Sequence, residues 1–75
     1  MKRRARTKGF LLCLSNRGYR ASLIPHKVYR QIPDDEASEH GLVRVVDESG
    51  EDYLFPARLF AAIELPDSIR LRLAT

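Results

Sequence analysis

The sequence has no tryptophan and a single cysteine, Cys13, and what it lacks narrows the classes it can belong to. One cysteine cannot close an internal disulfide, so the fold does not draw on the cross-links that stabilise many small secreted domains. No apolar stretch approaches the roughly 20 residues that a membrane-spanning helix needs. The four glycines, at positions 9, 18, 41 and 50, are scattered singly, and none belongs to a phosphate-cradling loop. With 75 residues there is room for one thin core, which excludes a two-lobed enzyme and a doubly wound nucleotide fold. What remains is ordinary globular material, 44% hydrophobic and 31% charged.

The net charge of +3 is unevenly placed. Lys2, Arg3, Arg4, Arg6 and Lys8 bring five of the thirteen basic residues into the first eight positions, with no acid among them. The rest of the chain carries eight basic against ten acidic residues. Eight of those acids fall between Asp34 and Asp52, where Arg44 is the only counter-charge. The sequence therefore predicts a basic arm attached to a mildly acidic body, and the arm has the composition of a phosphate-contacting segment. A basic start followed by Phe10 to Leu14 resembles a secretory signal. The apolar run is shorter than the 7–15 residues of a signal core, however, and no small-residue cleavage site follows it, so a cytoplasmic location is expected.

Residues 1–8 have no apolar periodicity and are expected to be a disordered arm. Phe10 to Leu14 reads as a strand buried on both faces, ended by the turn signal Ser15-Asn16-Arg17-Gly18. Lys27 to Ile32 alternates and is rich in β-branched and aromatic residues, which predicts a second strand. Between Pro33 and Gly41, Asp34 can cap a short helix that Gly41 terminates. Leu42 to Val46 and Asp52 to Phe55 read as the third and fourth strands, joined by a hairpin in which Gly50 supplies the left-handed turn. Pro56 ends the fourth strand, Ala57 to Phe60 fits a single 3₁₀ turn, and Ala62 to Leu65 a fifth strand. Ile69, Leu71 and Leu73 then alternate with arginines, in a frayed strand or a docked tail. The expected core is Leu12, Leu14, Leu23, Val28, Ile32, Val43, Val45, Leu54, Phe60 and Ile63.

Five short strands with one tight hairpin predict a small closed all-β barrel, with one short helical turn and a 3₁₀ turn before the last strand. The segment Tyr53-Leu54-Phe55-Pro56-Ala57-Arg58-Leu59-Phe60, followed by Ala61-Ala62-Ile63-Glu64-Leu65, is similar to the closing segment of SH3 domains. The stretch from Cys13 to Phe60, with Gly18-Tyr19, Ala21-Ser22-Leu23, Tyr29, His40-Gly41 and Asp47 to Tyr53, resembles a family of small, uncharacterised bacterial proteins expected to adopt SH3-like barrels. The expected domain division is a barrel over residues 9–66 and a C-terminal tail over 67–75. The resemblance covers roughly residues 10–65 and implies an SH3-like fold. It implies no activity. Signalling SH3 domains hold proline-rich peptides on a shelf of aromatic residues that includes a tryptophan. Here no tryptophan exists and Leu59 stands where that groove has a tyrosine, so proline-rich ligands are not expected.

The residues with chemical potential have simpler readings. Asp47 to Asp52 lacks the ligand order of a calcium loop and reads as a solvated hairpin tip. In the cluster of Glu36, Glu39 and His40, Glu36 and His40 are four apart and could form half of a zinc site. Such a site wants three or four ligands, but no spacing links them to Cys13 or His26, and His40 reads as a charge at the C-terminal end of a helix. Cys13 lies in an apolar run, where thiols are buried and inert. No enzyme, cofactor or metal is expected. The sequence predicts a non-enzymatic interaction module that binds protein, with Tyr19, Tyr29, Tyr53, Phe55 and Leu59 as candidate partner surface. The alternative is a nucleic-acid-associated barrel acting through Lys2, Arg3, Arg4, Arg6 and Lys8, which would bind weakly and without sequence preference.

Overall fold

The computed structural model describes residues 9–74. Five strands, β1 (Phe10–Cys13), β2 (Val28–Ile32), β3 (Leu42–Val46), β4 (Asp52–Pro56) and β5 (Phe60–Ile63), form one antiparallel sheet in the order β4-β3-β2-β1-β5. Helix α1 (Asp35–Glu39) lies between β2 and β3, a 3₁₀ turn (Ala57–Leu59) joins β4 to β5, and helix α2 (Asp67–Ala74) follows β5. The protein is all-β in class. The sheet is not closed into the expected barrel: β4 and β5 are its two edges and do not pair. Pro56, at the end of β4, has no N–H to offer a ladder, and the 3₁₀ turn redirects the chain before β5 begins.

Local signals place the elements. Asp34 caps α1, its carboxylate accepting from the Ala37 N–H at 3.0 Å, and Asp35 and Glu36 sit in the positive first turn. Gly41 follows with φ 73°, a left-handed conformation that ends the helix without strain. The β3–β4 hairpin turns through Asp47 to Glu51, where the Asp47 N–H reaches the Glu51 carbonyl and the Gly50 N–H the Asp47 carbonyl, each at 3.0 Å. At the C-terminus the alternating tail is a helix instead of a strand. Pro66 blocks continuation of β5, its carbonyl accepts from Ile69, and leucine, arginine and alanine are good helix formers.

The core brings together Leu11, Cys13, Leu23, Tyr29, Val45, Phe55, Leu59 and Phe60. Of the expected core, Leu23, Val45 and Phe60 are buried. The other strands present the opposite face. In β1, Leu11 and Cys13 point inward, Leu12 is half-buried and Leu14 is exposed. In β2, Tyr29 is interior and Val28 and Ile32 are half-buried. In β4, Phe55 pairs across from Val43 and shares the inward face, which leaves Leu54 exposed beside Arg44. A strand has a period of two, so choosing the wrong parity moves every side chain to the other face. The run Phe10-Leu11-Leu12-Cys13-Leu14 is apolar at both parities and cannot choose.

The long connection from Leu14 to Lys27 is held by its own backbone. Tyr19 donates to the Asn16 carbonyl at 2.7 Å, and Ser22 and Leu23 both donate to the Tyr19 carbonyl. The Asn16 side-chain amide reaches the Leu23 carbonyl at 3.1 Å. His26, with φ 71°, turns the chain so that its N–H meets the Cys13 carbonyl at 2.7 Å. Tyr19 packs edge-on to Phe55, with ring centroids 5.2 Å apart.

Gly50 tests the hairpin. Its φ is 87° and nothing lies within 4 Å of a Cβ built there. Gly50→Val therefore meets no clash, only the backbone cost of a β-branched residue at positive φ, about 1–2 kcal/mol. Urea denaturation should show this loss with an unchanged m-value, and a variant as stable as wild type would place the turn elsewhere.

Candidate functional site

The Tyr29 hydroxyl is a buried polar group that joins three segments of the described structure. Tyr29 is 4% exposed, and a buried phenol needs partners. It accepts from the Ile24 N–H at 2.8 Å and donates to the Glu48 carboxylate. Lys27 reaches the same Glu48 oxygen at 2.6 Å, and its ammonium lies 5.5 Å from the centre of the Tyr29 ring. The Glu48 N–H donates to the Ser22 carbonyl at 3.0 Å. Burial, and then the hydrogen bond to Glu48, push the Tyr29 phenol up to about 12. The hydrogen bonds from Lys27 and then Tyr29 hold the Glu48 carboxyl below its ordinary value. This arrangement fastens β2, the 14–27 connection and the hairpin to one another. A phenol that resists ionisation is not poised to act as a base or nucleophile.

The remaining hairpin acids do not converge. Asp47, 7% exposed, is closed on its own turn, accepting from the Ser49 N–H at 2.8 Å and the Ser49 hydroxyl at 2.6 Å. Glu51 accepts from the Tyr53 hydroxyl at 2.8 Å, and Asp52 from Arg44 at 3.1 Å. Arg44 also reaches Asp34 at 3.0 Å, linking the α1 cap to β4. The Ala37 N–H and then Arg44 hold the Asp34 carboxyl below its ordinary value. Because these carboxylates face different partners, they form a brace and not a cation cage. Among the described residues no group of three or more His, Cys, Asp or Glu could hold a metal ion. His40 Nδ1 lies 2.9 Å from the Glu36 backbone carbonyl, not from its carboxylate. Cys13 is fully buried, with Sγ 3.4 Å from the Ser15 carbonyl, and burial raises its thiol pKa.

The candidate partner surface is largely corrected. Tyr29, Phe55 and Leu59 are 4%, 2% and 5% exposed and belong to the core. Their aromatic and apolar bulk fills the small interior, and Phe55 and Leu59 flank the Pro56 turn on its inner side. Tyr19 is half-buried against Phe55. Of the five, Tyr53 alone stands in solvent. Lys2, Arg3, Arg4, Arg6 and Lys8 lie outside the described residues. Leu14, Ile24 and Leu54 are exposed and were not anticipated. The parity of β1 and β4 decides Leu14 and Leu54, and the sequence carries no local sign of it.

A groove of about 510 Å³ opens where β1 begins, lined by Phe10, Pro33 and Ile63 with Asp34, Asp35 and Glu64. No helix among the described residues is long and apolar enough to cross a membrane. Comparison of the chain with protein-family models, curated proteins and solved structures found no match.

The Tyr29 hydroxyl can be tested through stability. Its folded-state pKa lies above that of an unfolded tyrosine, about 10. Its contribution is therefore complete below pH 10 and is lost as pH rises towards 12. Tyr29→Phe leaves the Ile24 N–H and Glu48 without this partner and should cost about 1–2 kcal/mol at neutral pH. The gap between wild type and variant, measured by urea denaturation, should narrow above pH 10. A constant gap up to pH 12 would contradict the assigned hydrogen bonds.

Proposed function

We propose that the chain is a non-enzymatic, cytoplasmic interaction module of bacterial type, with an SH3-like arrangement of strands, that binds another protein. The strand order β4-β3-β2-β1-β5 and the 3₁₀ turn between β4 and β5 support the SH3-like reading. The observation that carries the binding role is the display of large apolar side chains on braced segments. Leu14 and Ile24 are each 49% exposed at the two ends of the 14–27 connection, whose backbone is hydrogen-bonded to the Leu59 carbonyl, the Tyr29 hydroxyl and the hairpin. Tyr53 and Leu54 are exposed on the edge strand β4. Apolar groups presented on a preorganised backbone bind without the cost of ordering a loop. The second reading, nucleic-acid association, rests on the five cations of residues 2–8.

The two readings differ in their response to salt. Partners captured from the native cell extract should be proteins retained at high ionic strength, and Leu14→Asp with Ile24→Asp should release them while circular dichroism stays unchanged. Mixed-sequence DNA or RNA should bind only at low ionic strength, and charge reversal of the basic residues in 2–8 should abolish that binding. Submicromolar nucleic-acid binding at physiological salt by the charge-reversed chain would overturn the protein-binding reading.

A further inference from the structure

The groove at the start of β1 has a composition unlike the rest of the surface. Its floor is apolar, from Phe10, Pro33 and Ile63, and the ionisable groups in its lining are all acids. Asp34 is neutralised by Arg44. Asp35 and Glu64 are exposed, and their side chains have no hydrogen-bond or ionic partner among the described residues. The hairpin acids differ in this respect, since each has a hydrogen-bonding partner.

The sheet register brings Gly9, the residue to which the basic segment is joined, to this place. Phe10 stands opposite Arg30 on β2 and Ile63 on β5. One step back, the Gln31 N–H donates to the Gly9 carbonyl at 2.7 Å, and Glu64 follows Ile63 on the other flank. Gly9 itself lines the groove. Two steps further along each flanking strand stand Pro33 and, beyond Glu64 and Leu65, Pro66. Neither proline can donate to a ladder, so the strand pairing that guides the chain ends on both sides at the mouth of the groove.

We propose that this groove is the seat of residues 2–8 of the same chain, whose cations face Asp35 and Glu64. Three observations converge on this occupant. The lining carries one sign of charge, and the segment carries five charges of the other with no acid. The segment is attached directly to a residue of the lining, so its local concentration is in the millimolar range and weak contacts suffice. Seven residues reach up to about 23 Å, more than is needed to cross a groove of this size. The contact is exposed and electrostatic, so it weakens as the screening length falls from about 10 Å at 0.1 M salt. It also sets the basic segment between two fates, since a polyanion would have to displace it from the acids.

The full chain can report this directly. Cys13 is completely buried, so a nitroxide attached at Ala5→Cys labels one accessible thiol. At low salt the label should remove more than half of the amide signal of Asp35, Ser38 and Glu64 while sparing Ser49 and Gly50 at the hairpin tip. The signals should return at about 0.5 M salt, and at low salt in the Asp35→Lys, Glu64→Lys double variant. If that variant unfolds, the salt titration of the labelled Ala5→Cys chain with Asp35 and Glu64 intact decides alone. Broadening confined to the residues next to Gly9, or spread evenly over the surface, would overturn the proposal. So would broadening seen only between labelled and unlabelled copies, which would assign the groove to a second molecule.

Discussion

A chain this short cannot rely on apolar bulk alone, and the structure turns on one buried polar group. The Tyr29 hydroxyl sits at the junction of three segments far apart in sequence: β2, the turn at Ile24 and the β3–β4 hairpin through Glu48. Had β2 the opposite parity, Val28 and Ile32 would fill the interior and the hydroxyl would lie outside. The Ile24 N–H would then have to find another acceptor, and Glu48 would keep only Lys27. Burying the phenol is tolerable because it is satisfied as donor and as acceptor, and once satisfied it specifies one arrangement. The inward face of β2, the Ile24 turn of the 14–27 connection and the hairpin meet at this one contact.

That dependence explains what could be read from the sequence and what could not. Element positions follow from chemistry within a few residues. Gly41 and Gly50 have the left-handed conformations their turns require, Asp34 caps the helix it precedes, and the strand over Leu42–Val46 matches its expected bounds. The facing of the strands follows from partners that are remote. Glu48 is nineteen residues from Tyr29, and nothing near either one announces the bond. The apolar run at Phe10 to Leu14 is equally satisfied by either parity, so the exposure of Leu14 is settled by β1 pairing with β2 and β5. Closure failed for a related reason. Five strands suggest a barrel, but whether the edges meet depends on how Pro56 and the 3₁₀ turn direct β5, which strand count does not encode.

The same reasoning redistributes the charges. In sequence the acids from Asp34 to Asp52 form one dense stretch, and density alone invites a cation site. In space five of them separate into three groups with different duties. Asp47 builds its own turn, while Glu48 and Glu51 hold tyrosine hydroxyls. Asp34 and Asp52 share Arg44 across the sheet. Asp35, in the first turn of α1, lines the same groove as Glu64, twenty-nine positions later, which neither local stretch reveals.

The acidic groove and the exposed Leu14 lie at opposite ends of one strand. β1 starts at the groove with Phe10 and ends at Cys13, immediately before the exposed Leu14. At about 3.3 Å per residue, Phe10 and Leu14 are about 13 Å apart. That exceeds the screening length at physiological salt, about 8 Å. A charged segment held at the groove would therefore neither cover Leu14 nor strongly alter the potential around it. Proteins that read both kinds of contact at one patch must compromise between desolvating charges and burying apolar area. Here Leu11 and Cys13 are buried in the core between the groove and Leu14, so a contact proposed at either place would keep its own solvent environment.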